Sequence, residues 1–332
     1  MLNNPHHIFE LFKNTTVLIV GDVMIDRYLT GQINRISPEA PVPVVLHETS
    51  NDRLGGAANV ALNIHALGGK PILCSVIGND ENTISFLNLL PENNISTEGI
   101  IQLKERITTV KTRVIASNQH ILRVDRETTE DLQNEEAFLF LEMVKNILNE
   151  NDIDVILFQD YNKGVLTPFV IRGILKEAKR RKIPTAVDPK LKNFFEYKGV
   201  TLFKPNLKEV NDALPMQVRA ESASLQYAAQ SIRSILNNKM TLITLSEKGI
   251  FIDNDLEQKI IGTQPRNIAD VCGAGDTVIS LAAMMLPYTL DMRDIAVLSN
   301  LAGGQVCEKV GVVPVDVIQL MREYQNFLQL QG

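Results

Sequence analysis

Asp270-Val271-Cys272-Gly273-Ala274-Gly275-Asp276 is a glycine-rich turn that ends in a carboxylate and runs straight into an apolar stretch, residues 277–286. Two glycines around a small alanine let a backbone close on an anion. A helix starting there would aim its free N–H groups and positive dipole end at that anion. Gly273, Ala274 and Gly275 are therefore a candidate anion hole, and Asp276 falls in the first turn of the same helix. There its carboxylate can take the proton of an alcohol that attacks a phosphate. Alone, the heptapeptide reads equally as an ordinary strand-to-helix connection with a helix-favouring Asp.

A second segment, Gly55-Gly56-Ala57-Ala58-Asn59-Val60-Ala61, continues through Leu67-Gly68-Gly69 to Val76-Ile77-Gly78-Asn79-Asp80. Its paired glycines open a helix whose apolar face is Val60, Leu62, Ile64 and Leu67, which puts Asn59 in the first turn. The Asn59 amide both donates and accepts hydrogen bonds, which suits a sugar hydroxyl. The same residue type also serves as a helix cap or a satisfied turn residue.

The elements that must position these groups follow a regular rhythm. Strands are expected at 16–20, 71–77, 154–158, 185–187, 200–203 and 242–245, from short β-branched runs. Helices are expected at 57–67, 82–90, about 167–181, 221–236, 275–286, 292–309 and 315–328, with Thr167-Pro168 as a start signal. This alternation predicts an α/β fold with a mostly parallel sheet covered by helices. The first strand delivers Gly21-Asp22-Val23-Met24-Ile25-Asp26-Arg27 to its carboxyl end, where ligands of open α/β sheets bind. Of its two carboxylates, Asp22 reads as a turn residue.

Two stretches, 28–48 and 108–125, break the rhythm and are not helical; the second reads as extended segments 109–116 and 120–124. They fit a small β layer projecting from the main sheet, or a pair of surface hairpins. Pro43 and the alternation Val42, Val44, Leu46 suggest an edge strand whose apolar face meets another subunit.

Composition narrows the function class. Across 332 residues, 45% are hydrophobic and 22% charged, enough for a sizeable core in one large α/β unit without repeats or flexible linkers. The net charge of −6, from 33 Lys and Arg against 39 Asp and Glu, gives no electrostatic footprint for nucleic acid, so an anionic substrate needs a local cationic cluster. The longest apolar runs are too short to cross a bilayer, and residues 1–12 lack a signal-peptide pattern. Cys74, Cys272 and Cys307 are odd in number and widely spaced, which fits reduced thiols in a cytoplasmic protein. Gly-x-x-x-x-Gly-Lys-Ser/Thr and Gly-x-Gly-x-x-Gly are both absent, which removes the P-loop and Rossmann readings.

The two glycine-rich segments, in this order and at this separation, resemble the signatures of the ribokinase-like sugar kinases, also called the phosphofructokinase-B family. The resemblance implies a ribokinase-like sheet flanked by helices over residues 1–332, with the 28–48 and 108–125 layer as a lid over the sugar. It implies Asp276 as catalytic base, ATP as co-substrate, Mg²⁺ as cofactor and a monovalent cation as a further candidate. Asp26 matches the family carboxylate that holds sugar hydroxyls, with Gly55, Gly56 and Asn59 beside it. Asn206-Leu207-Lys208-Glu209 matches the Asn-x-x-Glu element, in which Glu209 would act on magnesium, if need be through water; as bare sequence it is also a capping box. Thr244, Ser246 and Gly249, in Ile243-Thr244-Leu245-Ser246-Glu247-Lys248-Gly249, resemble the strand and turn beside the nucleotide, although the family more often has Gly where Ser246 stands. Asn300 matches a position that borders adenine, and Lys190 completes the nucleotide set.

Within the family, Arg35-Ile36-Ser37-Pro38-Glu39-Ala40-Pro41-Val42-Pro43-Val44, together with residues 21–28, looks like the members that phosphorylate D-glycero-D-manno-heptose 7-phosphate at C1, on the way to ADP-heptose and the lipopolysaccharide core. Lys111-Thr112-Arg113-Val114, Asn118-Gln119, Arg123-Val124-Asp125, Asp160-Tyr161-Asn162-Lys163-Gly164 and Asp188-Pro189-Lys190 support it. A substrate that already carries a phosphate needs permanent positive charge, which Lys111, Arg113, Arg123 and Lys163 would supply, with Asp160 among the substrate ligands. The same cations also read as a solvated charged hairpin. Leu191 stands where Gly is expected after Lys190, and Cys272 replaces a commoner Thr. Relatives often continue into a nucleotidyltransferase domain, so that step is expected of another protein. The expected partners are a sugar phosphate, ATP and a second copy of the chain through the lid, with no nucleic acid or membrane. The alternatives are a family kinase for another sugar, or a catalytically silent sugar-binding regulator.

Overall fold

The structure is a computed structural model that describes residues 5–117, 119–288 and 290–330; Asn118 of the Asn118-Gln119 resemblance lies outside the described residues. After α1 (Pro5–Phe12), the chain forms β1 (Thr16–Gly21), β2 (Val23–Ile36), β3 (Pro43–Gly56), α2 (Ala57–Ala66), β4 (Lys70–Gly78), α3 (Thr83–Glu92) and β5 (Ile100–Leu103). Then come β6 (Val110–Ala116), β7 (Gln119–Arg126), α4 (Asn134–Glu150), β8 (Val155–Gln159), α5 (Pro168–Arg181), β9 (Thr185–Asp188) and β10 (Leu202–Phe203). The remainder is α6 (Leu207–Ala213), α7 (Ser222–Leu236), β11 (Met240–Thr244), β12 (Ile250–Asp253), β13 (Gln258–Ile261), α8 (Ala274–Met285), α9 (Met292–Val306) and α10 (Val317–Gln329).

Among the described residues, nine strands form one sheet in the order β13-β12-β11-β10-β9-β8-β1-β4-β5. The pairs from β11 to β5 are parallel, and β12 and β13 add an antiparallel edge. Successive β1 side chains alternate between two cores. Val17 and Ile19 pack with α2, α8 and α9, whereas Leu18 and Val20 pack with α4, α5 and α7. A sheet buried on both faces needs apolar residues at nearly every position, which is why 17–20 and 155–158 read as unbroken apolar runs. From β1 the chain runs outward to β4 and β5, then returns to place β8 on the other side of β1. The strand order therefore reverses between β1 and β8, and a crevice opens beyond their carboxyl ends.

The stretches outside the rhythm form a second, four-stranded sheet in the order β3-β2-β6-β7. Its strands extend past the expected bounds: β2 begins at Val23 and β3 ends at Gly56, so the small sheet grows out of the end of β1 and returns into α2. β3 is an edge strand and Pro43 is its first residue, where a missing N–H costs no ladder bond. The elements not expected from the sequence include α1, β5, α4 and the β12–β13 hairpin. The apolar residues of α4 recur at 137, 140, 141, 144, 147 and 148, a helical spacing. The β12–β13 hairpin follows a Gly and carries polar residues that mask its alternation.

Asn63 ties the helices that carry the two glycine-rich segments. Its fully buried amide donates to the Asn59 carbonyl (2.9 Å), and its oxygen accepts from Thr277 Oγ1 (3.2 Å) and from the Val315 N–H (3.1 Å). Asn63→Ala strands buried polar groups on both helices, and the expected loss is about 2 kcal/mol. Urea unfolding should show a lower midpoint at unchanged slope; an unshifted midpoint would contradict this role.

Candidate active site

The carboxyl ends of β1, β8, β9, β10 and β11 converge on the N-terminus of α8. Gly273 caps that helix with φ +80, a conformation that L side chains rarely adopt. An added Cβ would also come within 3.0 Å of Asn59 Nδ2. First-turn N–H groups have no intrahelical acceptors, and Gly273, Ala274 and Gly275 line the cavity, although the Ala274 N–H also reaches the Val271 carbonyl at 3.4 Å; the loop can hold an anion.

Asp276 is 4% exposed and both of its oxygens are engaged. Oδ2 accepts from Asn59 Nδ2 at 2.7 Å, while Oδ1 accepts from Tyr161 Oη at 2.7 Å and Gln159 Nε2 at 2.9 Å. Burial pushes its carboxyl up to about 6 despite those hydrogen bonds from Asn59 and Tyr161. A carboxylate with that proton affinity is ionised at neutral pH and still basic enough to accept a proton.

Beside it, Lys204 Nζ is buried between Asp188 Oδ2 (2.6 Å) and the Gly275 carbonyl (3.2 Å), which pins the anion loop to the ends of β9 and β10. Lys190 pairs with Glu209. Burial works against the lysine's charge, but Asp188 and Glu209 outweigh it and hold its affinity for the proton above the ordinary value. Glu209 closes a reciprocal capping box: its Oε2 accepts from the Asn206 N–H (2.8 Å), and Asn206 Oδ1 accepts from the Glu209 N–H (2.8 Å). The capping reading of Asn206-x-x-Glu209 therefore holds, and it leaves Glu209 to meet a cation only beyond this network.

A cavity of about 800 Å³ opens from Asp276, and its walls include Lys190, Asn206, Thr244, Ser246, Gly249 and Asn300, all the residues expected around a nucleotide. Ser246 has φ +54, in the left-handed region, which accounts for the glycine more often found there. Asn300 donates to the Gly262 carbonyl (2.9 Å) and fastens the wall beyond β13.

On the other side of Asp276 lies the foot of the small sheet. Asp26 pairs with buried Arg113, and Gly55 packs so close to the Asp26 carboxylate that a Cβ there would collide with it. Burial opposes the Arg113 charge, yet Asp26 more than restores it. Tyr28 stacks between Arg53 (5.0 Å) and Arg113 (5.4 Å), and its hydroxyl accepts from the Val312 N–H (3.2 Å), fixing the sheet to the main body near Gly273. The Cys272 thiol faces this group and is pushed up to about 11 by burial and Asp270, so it stays protonated. Lys163 and Lys111 share Glu127, at 2.8 and 3.8 Å.

Two expected residues are not brought together with these. Asp160 turns inward, accepting from Tyr197 Oη (2.8 Å) and the Asn162 N–H (2.8 Å), and burial pushes it up to about 7. Arg123 lies across from Arg113 in the ladder, but its side chain is 56% exposed and paired with Asp125. Asp22 is the buried turn residue that the sequence suggested, accepting from the N–H groups of Tyr161, Lys163 and Val165. Gln159, Tyr161, Asp188 and Lys204 were not singled out as site residues. Gln159, Asp188 and Lys204 share one signal, a polar residue at the carboxyl end of an apolar strand, where this fold class binds ligands, whereas Tyr161 lies in the loop two residues beyond β8. Among the described residues, no group of three or more His, Cys, Asp and Glu could hold a metal ion. Also among them, no helix is long and apolar enough to cross a membrane.

Residues 14–317 match the pfkB family carbohydrate kinase. The chain is 42% identical over 316 residues to the bifunctional protein HldE of Trichlorobacter lovleyi, covering 94% of this chain and 64% of that protein. It is 37% identical to the bifunctional protein HldE of Campylobacter curvus, covering 95% of this chain and 66% of that protein. The chain thus spans just under two thirds of the length of these relatives. Phosphofructokinase-2 from Escherichia coli, in complex with substrates and products, shares the fold with TM-score 0.77 at 16% identity, over 95% of this chain and 99% of that one. Arabidopsis thaliana ribokinase complexed with ribose and ATP does so with TM-score 0.70 at 16% identity, over 93% and 98%. With its parallel sheet, its helix-borne anion loop and its small second sheet, the chain belongs to the pfkB family of ATP-dependent carbohydrate kinases.

Proposed function

We propose that this kinase transfers the γ-phosphoryl group of ATP to the C1 hydroxyl of D-glycero-D-manno-heptose 7-phosphate, forming the 1,7-bisphosphate as a cytoplasmic step toward ADP-heptose. The observation that carries the reaction class is the position of Asp276, between the cavity lined by the expected nucleotide residues and the Asp26, Asn59 and Arg113 group. In this reading ATP lies in the cavity with its phosphates toward Gly273, Ala274 and Gly275, whose N–H groups offset the charge of the moving phosphoryl group. Asp26 and Asn59 hold sugar hydroxyls, with the small sheet as a lid. Asp276 removes the proton from the attacking hydroxyl. Magnesium, bound with ATP, would neutralise phosphate charge, and Glu209 suits it as a ligand through water because Lys190 and the Asn206 N–H already engage both carboxylate oxygens.

The substrate assignment rests on the resemblance of residues 21–28 and 35–44 and on the partly buried lysine pair at Glu127. Two ammonium groups facing one carboxylate leave an excess positive charge, and burial pushes Lys111 below its ordinary value, so a phosphate there gains from both cations. Purified protein with ATP and Mg²⁺ should convert heptose 7-phosphate to a bisphosphate seen by mass and phosphorus NMR, well ahead of ribose or fructose. An inert heptose phosphate beside a well-used simple sugar would overturn the assignment.

Asp276→Asn keeps the shape but cannot take a proton. Turnover should fall roughly 10²–10⁴-fold with ATP binding retained; near-normal turnover in a folded variant would remove Asp276 as the base.

Lys111→Met and Lys163→Met should each lower kcat/KM for the phosphorylated sugar about tenfold or more while sparing ATP affinity. Equal losses for an unphosphorylated sugar would return both lysines to a structural role.

The outer face of the small sheet supports a homodimer. Leu122 and Val124 alternate with Arg123 on β7, opposite the Arg113 face, and are 49% and 56% exposed; Ile36, Val42 and Leu46 are exposed on β2, β3 and their turn. Sedimentation should find a dimer that the double variant Leu122→Glu, Val124→Glu converts to monomer. A monomeric wild-type protein would contradict this.

A further inference from the structure

We propose that Tyr161 and Gln159 are positioning residues that saturate Oδ1 of Asp276 and so leave Oδ2, on the Asn59 side, as the atom that takes the acceptor's proton. The inference rests on Asp276 being the base, and it adds which oxygen acts and what selects it. A carboxylate has about four lone-pair sites, two on each oxygen. Both sites on Oδ1 are filled, by Tyr161 Oη at 2.7 Å and Gln159 Nε2 at 2.9 Å. Oδ2 receives one donor, Asn59 Nδ2 at 2.7 Å, which leaves one site open. Asn59 stands in the first turn of α2, three residues after Gly56, and Gly55 of the same glycine pair packs on Asp26, so Oδ2 is the oxygen tied to the helix that leads from the foot of the small sheet.

The two donors on Oδ1 are themselves fixed. The amide of Gln159 also lies 3.4 Å from Asp188 Oδ2, and its own oxygen is buried without a hydrogen-bond partner. Flipping the amide would turn that oxygen toward two carboxylates, so the donor orientation is enforced. The Tyr161 N–H donates to Asp22 Oδ2 at 2.8 Å, and Asp22 also accepts from Lys163 and Val165, which locks the loop that carries the phenol. Burial and the nearby Asp276 charge hold the phenol well above its ordinary value, so Tyr161 remains a donor. The face of its ring lies 5.6 Å from Lys190 Nζ, in the nucleotide cavity. The other charged groups facing Asp276 are Asp188, which favours its protonation, and Lys204 and Lys190, which oppose it.

The test uses carboxyl-¹³C aspartate labelling of the full chain, with Asp276→Asn to identify the resonance. Removing a donor from the ionised form raises proton affinity, so the Asp276 midpoint, about 6 in the wild type, should rise by about one pH unit in Tyr161→Phe. Gln159→Met should move it in the same direction. At pH 7 that shift alone roughly halves the ionised fraction, so kcat should fall at least about twofold in each variant, with the calorimetric affinity for ATP unchanged. Calorimetry also reports whether each variant is folded, and either variant alone suffices. An unmoved midpoint and unchanged kcat in a folded variant overturn the inference. Full turnover by Asp276→Asn would instead strike the assignment of Asp276 as the base.

Discussion

Everything around this site depends on holding one buried carboxylate ionised at the start of a helix. Removing Asp276 from water raises its affinity for a proton, and a carboxylic acid there could serve no proton acceptor's role. Donors from α2 and from the carboxyl end of β8 offset that cost, while the first turn of α8 adds its dipole. These groups lie far apart in sequence, Asn59 and Asp276 being 217 residues apart. They meet because the strand order reverses between β1 and β8. A single displaced helix would break the arrangement, which gives the buried Asn63 link between α2 and α8 its importance.

The small sheet obeys the same constraint from the other side. It grows from the end of β1 and returns at the glycine pair that starts α2, so its foot must lie beside Asp276 whatever its outer strands do. Tyr28, Arg53 and Val312 then fasten that foot to the body. A sugar held by Asp26 would therefore be registered against Asp276 through short covalent connections, and the outer strands are free to carry an apolar face.

Much of this was legible in the sequence where one residue type has one dominant physical use. Glycine at φ +80 before Asp276, unbroken apolar runs in doubly covered strands and Pro43 at a sheet edge all declared themselves. That Lys190, Asn206, Thr244, Ser246, Gly249 and Asn300 would gather around one cavity was also legible, because the family resemblance marks those positions. What escaped was pairing across the chain. Nothing in the order of residues says that Gln159 and Tyr161 share one oxygen of Asp276, that Lys204 reaches the Gly275 carbonyl, or that Asp160 turns away to Tyr197. Those contacts depend on the tertiary meeting of strand ends, and local sequence carries only the weak sign of a polar residue closing an apolar strand.

The account's central claim is that phosphoryl transfer requires the ionised form of this buried carboxylate, and the pH dependence of kcat/KM tests it most directly. With ATP saturating, the wild-type rate should fall tenfold per pH unit below about pH 6, because burial places the Asp276 carboxyl there. Asp276→Asn should lose that limb together with most of its activity. A wild-type profile that stays flat well below pH 6, or an Asp276→Asn variant that keeps the same acid limb, would contradict it.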